Sequence, residues 1–183
     1  MLDADAGGGG PLTPTMNRVL SAAQHMSALT SENGGATMDL RGMKAYEAGQ
    51  DVQMVGGSPD VRTGKAFPTQ LVDVGSSNPR VHAGDVIDAR KKMLPAAVGK
   101  ASPALGTWAP EGKRKVDIDL VDVIHGNPKR AGDLTIERNE DAYFNLKNFD
   151  EPSNEQLRTE RGIKGSRPPK GAKQEEVARR HKG

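Results

Sequence analysis

Two aspartates two positions apart, Asp117 and Asp119, stand in the alternating run Lys115-Val116-Asp117-Ile118-Asp119-Leu120. In an extended strand they project from one face. A carboxylate pair so placed could hold a hard divalent cation if a third oxygen ligand such as Glu137 came near. Acids on the wet face of a half-buried strand make the same pattern, and nothing else in the chain completes a site. The histidines His25, His82, His125 and His181 fall on separate stretches with no His-x-x-x-His or His-Glu pair, so they do not compose a ligand set among themselves. His125 follows the strand run and precedes a Gly, at a strand end where catalytic groups often gather; ordinary loop surface is the competing reading. Asp117, Asp119 and His125 are therefore the residues on which an enzyme acting on a small substrate would have to be built.

Other chemistries find less support. Gly56-Gly57-Ser58-Pro59-Asp60-Val61-Arg62-Thr63-Gly64-Lys65 ends like a phosphate-binding loop. It holds Pro59 where the first Gly is required, Ala66 after the Lys, and Pro68 where a helix should start. A surface loop is the better reading. No Ser lies in a Gly-x-Ser-x-Gly setting. The chain has no Cys, which removes disulfides, thiolate metal sites and cysteine nucleophiles. No cofactor is indicated, and the chain reads as a non-enzyme.

The strongest functional hint is at the C-terminus. Residues 162–183 carry Lys164, Arg167, Lys170, Lys173, Arg179, Arg180 and Lys182 against Glu175 and Glu176, on a Gly/Pro-rich arm, while the whole chain is only +2. Such an arm suits contact with phosphates or with a partner. No aromatic residue is interleaved with the cations, so stacking on bases is not encoded and binding would be weakly selective.

The elements that would position these residues come from apolar spacing. The chain has 183 residues, 22 Gly, 12 Pro, one Trp, two Tyr and three Phe. Its interior must be thrifty. Apolar density is highest over 103–149 and lowest over 150–183. The reading is an α+β fold with a small mixed sheet: a strand-strand-helix-strand unit at 103–149, an N-terminal helix-hairpin region, and extended Gly/Pro-rich arms. Strands are expected at 104–109, 115–124 and 141–146. Between the last two, Asn127 caps a helix that opens with Pro128, runs to about Arg138 and closes at Asn139, giving a helical crossover. Val116, Ile118, Leu120 and Ile124 share one strand face, and Asp117, Asp119, Val121 and Val123 the other.

Upstream, Thr13 and Pro14 begin a helix with Met16, Val19, Leu20, Ala23 and Met26 on one side, ended by Gly34. A hairpin turns about Arg41-Gly42, Val52 and Met54 add a strand, and 56–77 is loop. A second helix runs from Asn78-Pro79, or from Asp85, to Leu94, where Pro95 stops it. Downstream, Ser153 with Gln156 caps a short helix, 162–171 is irregular, and 172–182 could be helical. The expected organisation is a flexible arm at 1–12, a body at 13–150 (helix and hairpin 13–57, loop 58–77, helix 78–95, core unit 103–149) and a basic tail at 151–183. No apolar run is long enough to cross a bilayer, and the acidic start lacks the apolar core of a secretory signal.

Two stretches carry a resemblance. Residues 34–42 (Gly-Gly-Ala-Thr-Met-Asp-Leu-Arg-Gly) lead to Val52 and Val55-Gly56-Gly57. Then come Leu105-Gly106-Thr107-Trp108, Lys115 to Val123, and Glu137 to Leu146. Over roughly 15–150 the chain resembles an uncharacterised domain recurring in proteins of actinobacterial phages, with departures at Gly132-Asp133 and Tyr143-Phe144-Asn145. The resemblance implies no catalytic residue. It implies a phage context: a virion component of the head or tail shell, partnered by other virion subunits or copies of itself and passing through the host cytoplasm before assembly. The alternative it leaves is an early accessory protein that binds nucleic acid or a host protein through the basic tail.

Overall fold

The computed structural model describes residues 15–74, 81–110, 112 and 114–169, which form four helices and an antiparallel sheet, an α+β fold. The elements are α1 (Met16–Asn33), β1 (Gly35–Asp39), β2 (Val52–Val55), β3 (Gln70–Asp73), α2 (Ala83–Ala96), β4 (Pro103–Trp108), β5 (Lys115–His125), α3 (Pro128–Glu137), β6 (Phe144–Asn145) and α4 (Asn154–Glu160). They divide into two compact units. The first takes residues 15–46 and Pro59–Leu120; the second takes Glu47–Ser58 and the described residues from Val121 onward. The expected core unit at 103–149 is thus shared between them, and β5 runs through both. The expected arm at 1–12, the cap at Thr13-Pro14, the helix start at Asn78-Pro79 and the helix at 172–182 lie outside the described residues.

In the first unit α1 starts at Thr15, whose Oγ1 accepts from the Arg18 N–H, and ends at Gly34 with φ +79° and its N–H on the Thr30 carbonyl. A left-handed residue costs glycine least. The buried stripe is Val19, Ala23, Met26 and Thr30, narrower than the spacing implies, because Met16 and Leu20 stay exposed. β1 pairs antiparallel with β4, β4 neighbours β5, and β3 pairs antiparallel with the start of β5. Val116, Ile118 and Leu120 of β5 join α1 and α2 in one apolar cluster around Met26, Met38, Leu40 and Met93.

Close approach decides one position here and a buried hydrogen bond another. A Cβ on Gly35 would lie 2.7 Å from the Thr107 carbonyl oxygen of β4. One turn earlier Thr30 donates to the Met26 carbonyl and shares a buried hydrogen bond with the Thr107 hydroxyl, pinning the end of α1 to β4. With the Thr30 proton committed to Met26, Thr107 must be the donor. Thr30→Val then strands a buried hydroxyl on Thr107, whereas Thr107→Val strands only a lone pair. We expect Thr30→Val to lose about 1–2 kcal/mol and Thr107→Val less. Urea unfolding of both variants checks the order.

Three expectations are corrected in this unit. The loop at 56–77 contains β3, a four-residue strand whose Leu71 and Asp73 are exposed; so short a segment shows no alternation until β5 is beside it. Pro95 does not stop α2, which runs on to Ala96: the one helical bond that Pro95 forfeits belongs to the carbonyl of exposed Lys91, near the helix end. The hairpin about Arg41-Gly42 forms a single bridge, Met38 to Ala45, and the main partner of β1 is β4.

In the second unit β2 lies between β5 and β6 and pairs antiparallel with each. β5 and β6 are therefore parallel to one another, joined by α3 as the expected helical crossover; insertion of β2 makes every neighbouring pair antiparallel. Asn127 accepts from the Arg130 N–H with Pro128 next, Arg138 caps the far end, and Asn139 follows at φ +55°. The third strand is shorter than expected, Phe144–Asn145 only, because the chain turns at once through Phe149 at φ +62°. Val55, Ala131, Leu134, Ile136 and Tyr143 form the core, and Leu157 of α4 completes it with Ile163 against its rim. Residues 151–169, expected as tail, are thus packed in the second unit.

Gly132 of α3 is where Arg161 crosses. A Cβ there would lie 2.5 Å from an Arg161 guanidinium nitrogen, which instead donates to the Lys129 carbonyl while its neighbour pairs with Asp133 at 2.6 Å. Alanine, the better helix former, would collide with the arginine that ties α4 to α3.

Candidate functional site

The Asp117, Asp119 and His125 constellation is divided between the two units. Asp117 and Asp119 share a face of β5 in the first unit, half-buried, and Asp119 accepts a short hydrogen bond from the Thr69 hydroxyl. His125 is exposed at the other end of β5, in the second unit. Glu137 is exposed on α3. Among the described residues no group of three His, Cys, Asp or Glu gathers as a metal site.

The loop that resembles a phosphate binder is organised by its own acid. Asp60 receives the Arg62 guanidinium and N–H, and its backbone closes a turn on Gly64 and Lys65. Hydrogen bonds from the Arg62 side chain, then from its backbone, hold the Asp60 carboxyl below its ordinary range.

The second unit holds two linked polar groups that the sequence does not announce. The first is centred on Asp122 of β5. Its carboxylate takes the Arg138 guanidinium at 2.6 Å and the Ser58 hydroxyl at 2.8 Å, and the same arginine donates to the Gly56 carbonyl at 3.2 Å. Arg138 and Asp122 are only 15% and 16% exposed. Gly57, at φ +65°, lies beneath the Glu140 carboxylate, which a Cβ would overlap. The end of β2, the middle of β5 and the end of α3 are thereby joined.

The second group surrounds Asn139. Its left-handed backbone turns the chain out of α3, and asparagine accepts that conformation better than most residues. Every polar atom of its side chain is used on 167–169. Nδ2 donates to the Pro168 and Pro169 carbonyls at 3.2 and 3.1 Å, and Oδ1 accepts from Arg167 Nε at 2.8 Å. Arg167 Nη2 also reaches the Asn139 carbonyl and the Asp141 carboxylate, each at 2.8 Å, and Nη1 reaches Glu155 at 3.4 Å. Pro168 is buried. Beside this, Asn154 donates to the Thr135 and Glu140 carbonyls, fastening the start of α4 under the end of α3.

Of the cations singled out in the sequence, Lys164 is exposed and Arg167 is committed to Asn139, Asp141 and Glu155. Lys170, Lys173, Arg179, Arg180 and Lys182 lie outside the described residues. Sequence reasoning missed Asn139, Asp141 and Glu155 as a receiving surface. The available signal was an asparagine at a helix end and two acids ahead of an Arg-Pro-Pro triplet. Burial in the core of the second unit raises the phenol of Tyr143 above its ordinary value, and burial with the Asp39 carboxylate does the same to Tyr46.

A tyrosine held neutral in the fold loses protons sooner when unfolded. Its stabilisation is complete below the unfolded value near pH 10 and fades as pH rises through the folded one. Tyr46→Phe/Tyr143→Phe should therefore flatten the alkaline limb of a stability curve measured by denaturant titration from pH 8 upward.

No family model, curated protein or solved structure matches this chain.

Proposed function

We propose that the chain is a non-enzymatic assembly protein, a virion component whose C-terminal segment makes its contacts with neighbouring subunits. The observation that carries this is the seating of Arg167-Pro168-Pro169 on Asn139, Asp141 and Glu155. A Pro-containing segment led by a guanidinium is a chemistry used for recognition between chains, since its backbone is stiff before it docks. The phage setting is supported by the sequence resemblance over 15–150. Mass spectrometry of purified particles should find the chain in many copies, and light scattering on the isolated protein at low concentration should find a monomer. Absence from particles overturns the virion reading.

A second reading follows from the exposed Lys164 and the basic run beyond it: contact with nucleic acid phosphates by Lys164, Lys170, Lys173, Arg179, Arg180 and Lys182. Arg167 drops from that set because its guanidinium is occupied. Deleting 170–183 should weaken binding evenly across sequences and flatten its salt dependence. Binding insensitive to salt removes this reading.

A further inference from the structure

The receiving surface and the strap it holds are separable parts of the second unit. Asn139 and Asp141 follow α3, Glu155 lies on α4, and the strap is 164–169, beginning after Ile163, which packs against the core and donates its N–H to the Arg158 carbonyl. Arg161 is anchored to Asp133 and the Lys129 carbonyl. Between it and Arg167 the chain passes Gly162 at φ +66° and Gly165 at φ +90°, with 164–166 exposed. Residues 164–166, drawn out once the Arg158 guanidinium releases the Gly165 carbonyl, would reach about 10 Å.

What binds the strap is specific and compact. A carboxamide reads two consecutive carbonyls and one guanidinium N–H, and two carboxylates neutralise the arginine. Nothing in that chemistry distinguishes a strap arriving from the same chain from one arriving from an identical chain.

We propose that the Asn139–Asp141–Glu155 surface is a binding site for the Arg167-Pro168-Pro169 strap of a second copy of this chain, and that exchange of straps links copies. This rests on the assembly reading above and names its partner. The tethered strap competes at an effective concentration in the millimolar range. Exchange is therefore a property of crowded copies, as in a shell, and is silent in dilute solution.

The test uses the full chain and a fluorescently labelled peptide of residues 163–171. Arg167→Ala disarms the resident strap and leaves the receiving surface intact. The peptide should bind this variant saturably in an anisotropy titration and bind wild type at least tenfold more weakly. Adding Asn139→Gly to Arg167→Ala should abolish binding. Absence of binding to Arg167→Ala, or equal binding to Arg167→Ala and wild type, overturns the proposal.

Exchange itself is read by mixing isotopically heavy and light full-length chains at high concentration, cross-linking, and sequencing links between the peptide holding Lys164 and peptides from 139–160. Mixed-isotope links support exchange; links confined to one isotope overturn it. Same-isotope links from a chain abundant in particles would remove exchange and leave the assembly role. Mixed links from a chain absent from particles would remove only the virion reading.

Discussion

Arg138→Leu is expected to lose about 3 kcal/mol of folding stability, lowering the melting temperature by about 6–12 °C. The guanidinium holds Asp122 at 2.6 Å and the Gly56 carbonyl at 3.2 Å. Its removal leaves a carboxylate largely shielded from water with the Ser58 hydroxyl as its remaining donor of the two. The cost arises from a shielded charge deprived of its arginine more than from the lost attraction, so taking away both members of the pair should be gentler than taking away one. Arg138→Leu/Asp122→Leu should recover at least half of the loss. A single variant costing under about 1 kcal/mol would show that water reaches Asp122 freely.

Asn139 allows a finer dissection. Asn139→Gly accepts the left-handed backbone readily and removes the three side-chain hydrogen bonds to 167–169; Asn139→Ala removes them and keeps a Cβ at φ +55° without the short polar side chain that lets asparagine adopt it. We expect losses of about 1–2 kcal/mol for Gly and about 2–3 kcal/mol for Ala, the difference being the left-handed cost. In both variants amide exchange should accelerate over 164–169. Unchanged exchange there would mean that Asn139 does not hold the strap.

Where the sequence was legible, one local rule was enough. Asn127-Pro128 opens α3, Gly34 ends α1, and Ser153 accepts from the Gln156 N–H to start α4; each depends on neighbours within a few residues. The alternation of β5 was legible for the same reason, with one physical change that no single period conveys. Val116, Ile118 and Leu120 are buried in the first unit, while Val121 and Val123, of opposite parity, are buried in the second. What could not be read depends on distant partners. β3 is a strand because Val116 and Ile118 lie opposite Val72 and Gln70. The strap is fixed because Asn139 is 28 residues upstream of Arg167. The low apolar content of 150–183 suggested that it could not fold alone, which is compatible with Leu157 burying itself in a core built mostly by other segments.

The order of segments along the gene has a consequence for synthesis. Glu47–Ser58 leaves the ribosome before most of the first unit is made, yet β2 needs Asp122 to His125 on one side and Phe144-Asn145 on the other. The first unit in turn waits for Val116, Ile118 and Leu120. Neither half can mature until residues 116–145 have emerged, so a ribosome stalled before Val116 would display both halves incomplete.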